Sequence, residues 1–232
     1  MKKMWLAQRT SLEKYLRRLA RPAWLGMLRT MPLSNRYGYD RGTPVDRFYI
    51  EGFLEMYRHE IRGHVLEVKD STYTAQYGSG VGRCDVLDID AANTRANVIA
   101  DLTAADSIPS ETYDCFILTQ TLQFIYDLRA AIFHAHRILR TGGVLLATVP
   151  AVSRIPPTKN GLTTDYWRLT VASCSLLFGE AFGPSRVKVR SYGNVLTAAA
   201  FLIGMAHEEL PRRKINVNDE YFPVVVAVHA TK

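Results

Sequence analysis

Between residues 64 and 150, short apolar runs alternate with acidic turns in a fixed order. Residues 64–68 (His-Val-Leu-Glu-Val) are followed by 85–90 (Asp-Val-Leu-Asp-Ile-Asp), 96–101 (Ala-Asn-Val-Ile-Ala-Asp) and 113–118 (Tyr-Asp-Cys-Phe-Ile-Leu). A helical segment ends in the 139–143 run Leu-Arg-Thr-Gly-Gly, and 144–150 (Val-Leu-Leu-Ala-Thr-Val-Pro) reads as a further strand. Apolar runs of this length predict strands covered on both faces, and therefore an open parallel sheet. Acidic residues stand near the C-terminal ends of these runs, so the upper edge of that sheet is suited to a hydroxyl-rich cofactor. Few residues separate Asp90 from Ala96, and the helix that usually joins two such strands is expected to shrink to a turn.

The flanks follow other periods. Leu12, Leu16 and Leu19 keep helical spacing with Lys14, Arg17, Arg18 and Arg21 around them, which predicts a basic amphipathic helix broken near Pro22. Residues 30–44 read as a connecting loop. Phe48, Tyr49, Ile50, Phe53 and Leu54 predict a packing helix that feeds the first strand, with Asp46 placed to cap it. After Pro150 come a loop with Pro156, Pro157, Asn160 and Gly161, a helix over 171–178 and a strand over 186–192. A small-residue helix over 194–209 and a last strand over 221–230 complete the pattern. The expected organisation is a basic helical extension over 1–44 and one α/β domain over 45–232.

Composition narrows the class. The chain has 232 residues, 47% hydrophobic and 22% charged, ample for one core with an appendage. It holds no run of about 18 apolar residues, so no membrane-spanning helix is expected. Its basic start lacks the sustained apolar stretch of a secretory signal. Cys84, Cys115 and Cys174 show no metal or disulfide spacing and read as buried thiols of a reducing compartment, with the cytoplasm as the expected location. The net charge of +7 gathers at the front: Lys2, Lys3, Arg9, Lys14, Arg17, Arg18, Arg21, Arg29, Arg36 and Arg41 face only Glu13 and Asp40. Such an arm is compatible with a solvated extension, a peripheral membrane contact, a lid over a site or a homo-oligomer contact.

Two stretches compete for the role of cofactor loop. The 78–82 run Gly-Ser-Gly-Val-Gly has the right glycine spacing, but a strand follows it where such a loop should open into a helix, so it reads as a connector. The 69–74 run Lys-Asp-Ser-Thr-Tyr-Thr directly follows the first strand and contains no glycine. Further on, Asp165, Tyr166, Trp167 and Arg168 put a carboxylate beside two aromatics and a guanidinium. That set suits the orientation and deprotonation of a polar acceptor, and equally a helix cap with packing rings. His134 and His136 lie two apart on a helix and diverge, and no metal site is expected.

The strand order, the 139–150 run and the 165–170 element Asp-Tyr-Trp-Arg-Leu-Thr resemble the class I S-adenosylmethionine-dependent methyltransferases, in particular a bacterial type-11-like branch. The resemblance implies a Rossmann-like α/β fold, with a seven-stranded, mostly parallel sheet whose last strand is antiparallel. It implies S-adenosylmethionine as cofactor. Glu67 matches the acid that ends the family's first strand, with Val68, Lys69 and Asp70 beside it, while Lys69, Ser71 and Tyr73 stand where the family carries glycines. Asp88 or Asp90 is placed at the ribose, Asp90 being favoured at the strand exit. Asp101 and Leu102 are placed at the adenine, and Thr119 and Gln120 face the cofactor from the fourth strand. Asp165 is the candidate base for a small polar or glycan acceptor such as a sugar hydroxyl, with Tyr166, Trp167 and Arg168 around it. The missing glycines leave open a non-catalytic, partner-binding protein of the same fold. A nucleic-acid substrate is disfavoured, because the 45–232 half lacks a basic stripe and no Asn-Pro-Pro-Tyr-like element follows the fourth strand.

Overall fold

A computed structural model describes residues 30–156 and 164–232, together with Glu13, Lys14 and Leu16. The chain divides into two compact units, one made of residues up to Tyr49 with Gly193–Val224, the other of Ile50–Tyr192 with Val225–Lys232. The basic amphipathic segment expected near the N-terminus lies outside the described residues apart from Glu13, Lys14 and Leu16.

The larger unit is built on a sheet of seven strands: β1 (Gly63–Val68), β2 (Val81–Asp88), β3 (Val98–Ile99), β4 (Tyr113–Thr119), β5 (Leu139–Pro150), β6 (Val187–Tyr192) and β7 (Val225–Thr231). Their order is β3-β2-β1-β4-β5-β7-β6. The pairings among β1 to β5 are parallel, and β7 runs antiparallel to both β5 and β6. The expected mostly parallel sheet with an antiparallel last strand is the one observed. Cys115, Phe116, Ile117 and Leu118 of β4 are fully buried, as central strands covered on both faces must be.

The helices are α1 (Val45–Met56), α2 (Thr72–Tyr77), α3 (Leu128–Ile138), α4 (Val171–Phe182), α5 (Val195–Leu202) and α6 (Arg212–Ile215). In α3, Leu128, Ala131, Ile132, Ala135 and Ile138 form one buried stripe, and Asp127 caps its start by accepting from the Ala130 N–H at 3.0 Å. A reciprocal Thr170–Ser173 capping box starts α4, which buries Cys174, Phe178 and Phe182. All three cysteines are free thiols. Burial pushes the Cys115 thiol up and that of Cys174 to about 12, so both behave as apolar packing groups.

Several boundaries differ from the sequence expectation. The helix before β5 ends at Ile138, and Gly142 and Gly143 belong to the opening of β5. Leu139 pairs with Tyr113 while Val144 already pairs with Cys115, so the intervening residues bulge outward, with Gly142 at φ 83°. The expected 194–209 helix stops at Leu202, because Gly204 takes a left-handed φ of 79° just past its end. The last strand begins at Val225 instead of Tyr221, since Pro223 has no N–H to give to a ladder. The connection from β2 to β3 is the short turn that the spacing predicts.

In the smaller unit Arg41 is buried against Glu209, its Nε and Nη2 reaching the two carboxylate oxygens at 2.9 and 2.5 Å. Asn194 caps α5 and donates its amide to the Lys214 and Val217 carbonyls at 2.9 and 2.7 Å. Among the described residues no helix is long and apolar enough to cross a membrane.

Candidate active site

Strand order reverses at β1, which has β2 on one side and β4 on the other. In an open α/β sheet such a reversal leaves a crevice beyond the strands' C-terminal ends. The chain leaves β1 at Val68 and turns at Lys69, which takes a left-handed φ of 72°. Asp70 then accepts the Thr72 N–H at 3.0 Å, and α2 begins. The sequence reading had no helix there; the Asp-Ser-Thr cluster at 70–72 was the available start signal.

Glu67 shapes this turn from beneath. It is buried, and its two oxygens accept the backbone N–H groups of Tyr73 and Thr74 at 2.9 and 2.7 Å. Burial pushes its pKa up, against the opposing hydrogen bonds from Thr74 and Tyr73. Glu67 therefore holds the loop rather than presenting a carboxylate to the crevice, and half-buried Val68 packs on the core.

From the other side, the turn after β2 ties the loop down. Asn93 donates its amide to the Lys69 carbonyl at 2.8 Å and to Asp88 Oδ2 at 2.7 Å, while Arg95 pairs with Asp70 at 3.3 Å. Neither Asn93 nor Arg95 is among the sequence candidates. The unusually short connection between β2 and β3 was the only hint that this turn would reach across.

The two acids at the end of β2 are unequal. Asp88 is buried, with Oδ1 accepting the Asp90 N–H at 3.1 Å and Oδ2 held by Asn93. Burial alone would raise its pKa, but the hydrogen bonds from Asp90 and Asn93, with that from Ile89, outweigh it and hold the carboxyl below its ordinary value. Asp90 is exposed and spends one oxygen on the Ala92 N–H at 2.9 Å, leaving the other without a partner among the described residues. Between them Ile89 stands 69% exposed, an apolar surface at the crevice rim that the sequence reading passed over. Past β3, Asp101 is likewise exposed, with Oδ1 accepting from the Thr103 N–H and Oγ at 2.8 Å each, while Leu102 is buried in the core.

The end of β4 completes the edge. Thr119 pairs with Thr148 of β5, and Gln120 follows at φ 47° with its N–H on the Thr148 carbonyl at 2.8 Å. The Gln120 Nε2, Gln123 Oε1 and Thr148 Oγ atoms are buried without a hydrogen-bond partner among the described residues. Gln123 links this edge to the 165–168 segment. Its Nε2 donates to the Gln120 carbonyl at 2.9 Å, and its own carbonyl accepts the N–H groups of Tyr166 and Trp167 at 2.8 and 3.3 Å. Asp165 and Arg168 form a two-pronged ion pair at 2.5 and 2.7 Å, and Arg168 also reaches the Arg154 carbonyl at 3.3 Å. Tyr166 and Trp167 thus reach the segment after β4, while Arg168, paired with Asp165, reaches the segment after β5.

Residues 71–147 match the model of a methyltransferase domain. Among solved structures, an S-adenosylmethionine-dependent methyltransferase from Archaeoglobus fulgidus aligns with a TM-score of 0.53 at 13% identity, covering 80% of this chain and 94% of that one. The fold is that of the class I methyltransferases. A second such enzyme, from Mesorhizobium loti, aligns with a TM-score of 0.51 at 14% identity over 81% of this chain and 98% of that one. No curated protein sequence matches the chain. The domain match opens at Ser71, just after the glycine-free turn, and ends at Ala147, so the Lys69 turn lies outside it. There the left-handed position is occupied by a lysine, held by Glu67 from below and Asn93 from the side.

Proposed function

We propose that this methyltransferase-fold chain is an S-adenosylmethionine-dependent enzyme that methylates a small polar acceptor such as a sugar hydroxyl. The observation that carries the cofactor part is the set of groups left unsatisfied at the sheet's C-terminal edge: the second oxygen of Asp90, the rim position of Asp101, and the buried amide of Gln120. Buried polar groups without partners are rare in folded proteins, and strained backbone concentrates where ligands bind. A ribose diol suits Asp90, an exocyclic amine suits Asp101, and the exposed face of Ile89 suits a flat ring between them. When bound, the cofactor supplies an electrophilic sulfonium methyl group.

The chain's own task is then alignment of an acceptor oxygen and exclusion of water. Asp90 and Asp101 would hold the nucleoside end of the cofactor and the backbone of the 69–72 turn its amino-acid end, while the Gln123–Tyr166 link ties the acceptor segment to the same edge. A hydroxyl acceptor loses its proton on methylation, and the role assigned here to Asp165 is to take it once the acceptor opens the ion pair with Arg168 that buries this carboxylate. The fork itself favours a second role for Asp165, as the clamp that holds Arg168 and the 165–168 segment in position. The three free thiols fit a cytoplasmic enzyme.

The test is release of S-adenosylhomocysteine from S-adenosylmethionine with and without neutral oligosaccharides. Saccharide-dependent release supports the reading, and release that no saccharide raises above background contradicts the sugar acceptor. In the same assay a catalytic base requires Asp165→Asn to lower turnover by about 10²-fold or more with an unchanged melting temperature. A lowered melting temperature with turnover restored on cooling assigns the clamp instead.

A further inference from the structure

Three aromatic side chains meet beyond the ends of β4 and β5, on segments fastened to one another. Tyr126, in the loop between β4 and α3, lies edge-on to Tyr166 with ring centroids 5.4 Å apart and planes at 74°, and lies 6.0 Å from Trp167. Backbone hydrogen bonds from Tyr166 and Trp167 to the Gln123 carbonyl fix one side of the group. The Trp167 indole N–H, which donates to the Ile125 carbonyl at 2.9 Å, fixes the other. Trp167 is committed to packing, but Tyr126 and Tyr166 are 72% and 47% exposed. Neither phenol hydroxyl has a hydrogen-bond partner among the described residues.

Two large aromatic rings in contact with each other are left open to water on segments tied together by hydrogen bonds, an exposed aromatic patch of the kind that marks binding surfaces. Their chemistry selects the occupant. A tyrosine presents an apolar face with a polar tip, and its face receives the C–H edge of a saturated ring while its hydroxyl bonds to that ring's substituents. A purely apolar partner would leave both phenols unmatched, and a strongly charged one finds Arg168, on the same segment as Tyr166, already paired with Asp165.

Resting on the methyltransferase reading above, we infer that Tyr126 and Tyr166, set edge-on to each other, form a cornered aromatic platform on which a neutral pyranose ring of the acceptor stacks against one ring and meets the edge of the other. The platform presents that ring to the cofactor edge through the Gln123 link. The openness of Tyr126 suits the end of an oligosaccharide rather than an enclosed small molecule. Trp167 supports the platform from behind, and Gln123 positions it without touching the sugar.

The test uses the full chain saturated with S-adenosylhomocysteine and cellotetraose as probe, read by saturation-transfer NMR and by titration. The platform predicts transfer to sugar C–H protons, with affinity falling about three- to tenfold in Tyr126→Ala and in Tyr166→Ala. Tyr126→Phe, which keeps the ring face and loses the hydroxyl, should fall between the parent protein and Tyr126→Ala. Tyr221→Ala, which truncates a 90% exposed ring in the other unit, should change nothing. Absence of transfer at 10 mM-scale probe, or equal affinity in the Tyr126→Ala protein, overturns the platform. A parallel calorimetric titration with S-adenosylhomocysteine separates the two claims. Cofactor binding without sugar contact refutes the platform alone, whereas sugar contact without cofactor binding refutes the enzyme reading and leaves a glycan-binding surface.

Discussion

The Glu67 carboxylate accepts the backbone N–H of Thr74 at 2.7 Å, seven residues further along the chain and in the first turn of α2. With the matching bond to Tyr73, it satisfies two of the donors that a helix start leaves open, and it does so from the end of the preceding strand. The loop between them is thereby held closed without glycines. Glu67→Gln replaces one acceptor by an NH2 group facing an N–H donor. The expected cost is about 1–3 kcal/mol of stability, the range for unpairing a buried group bonded to a charge. Urea unfolding checks this, and a change below about 0.5 kcal/mol would show that the loop does not depend on Glu67.

Lys69 turns the chain at φ 72°, a conformation that costs most L-residues about 1–2 kcal/mol. Lys69→Gly removes that strain and adds unfolded-chain entropy, so the two effects should leave the protein equally stable or more stable by up to about 1 kcal/mol. Thermal unfolding of the glycine variant alongside Lys69→Ala measures it. Glycine and alanine variants that are both markedly less stable than the parent protein would contradict this and show that the lysine side chain itself holds the turn.

Asp90 and Asp88 should separate cleanly. Asp90→Ala leaves the fold intact and weakens S-adenosylhomocysteine by tenfold or more, the loss of roughly 1.4 kcal/mol or more. Asp88→Ala releases Asn93 and the Asp90 N–H and lowers the melting temperature first. Calorimetric titration with thermal unfolding of each variant decides it; the reverse pattern would place the ribose at Asp88.

Acid sensitivity should concentrate at Asp85. This buried carboxylate receives Asn97 Nδ2 at 2.7 Å, His64 Nε2 at 2.7 Å, Arg83 Nε at 3.0 Å and the Tyr113 hydroxyl at 3.2 Å. Burial would raise its pKa, but the hydrogen bonds from Asn97, His64 and Arg83 outweigh it and hold the group below its ordinary value. A depressed native pKa gives stability that is present above the unfolded carboxylate pKa of about 3.9 and is lost as pH falls through the native value. Asp85→Asn should therefore cost about 2–3 kcal/mol at pH 7 and progressively less below about pH 4. Urea unfolding across that range tests the sign, and a cost that grows in acid would contradict it.

The sheet was legible because its central strands are continuous apolar runs, buried on both faces, and their order fixes the crossovers. The acids at the strand ends were legible as residues but not as roles. Whether Asp88 or Asp90 faces the crevice is set by Asn93, and whether Glu67 holds the loop or faces a ligand is set by the N–H groups of a six-residue helix. Both depend on contacts between distant segments that carry no local periodicity. The helix end before β5 was misplaced for a related reason: Gly142 and Gly143 look like a helix stop, yet they serve a bulge defined by pairing with β4. Tyr126 carried no signal at all, since an exposed tyrosine in a loop gains meaning only beside Tyr166 and Trp167.

The central claim is that a glycine-free turn, held by Glu67 and Asn93, still completes a cofactor site. Calorimetric titration of the purified chain with S-adenosylhomocysteine tests it most directly. The account predicts one site per chain with a dissociation constant in the micromolar range, about −8 kcal/mol. No heat of binding, together with no rise in melting temperature at millimolar ligand, would contradict it.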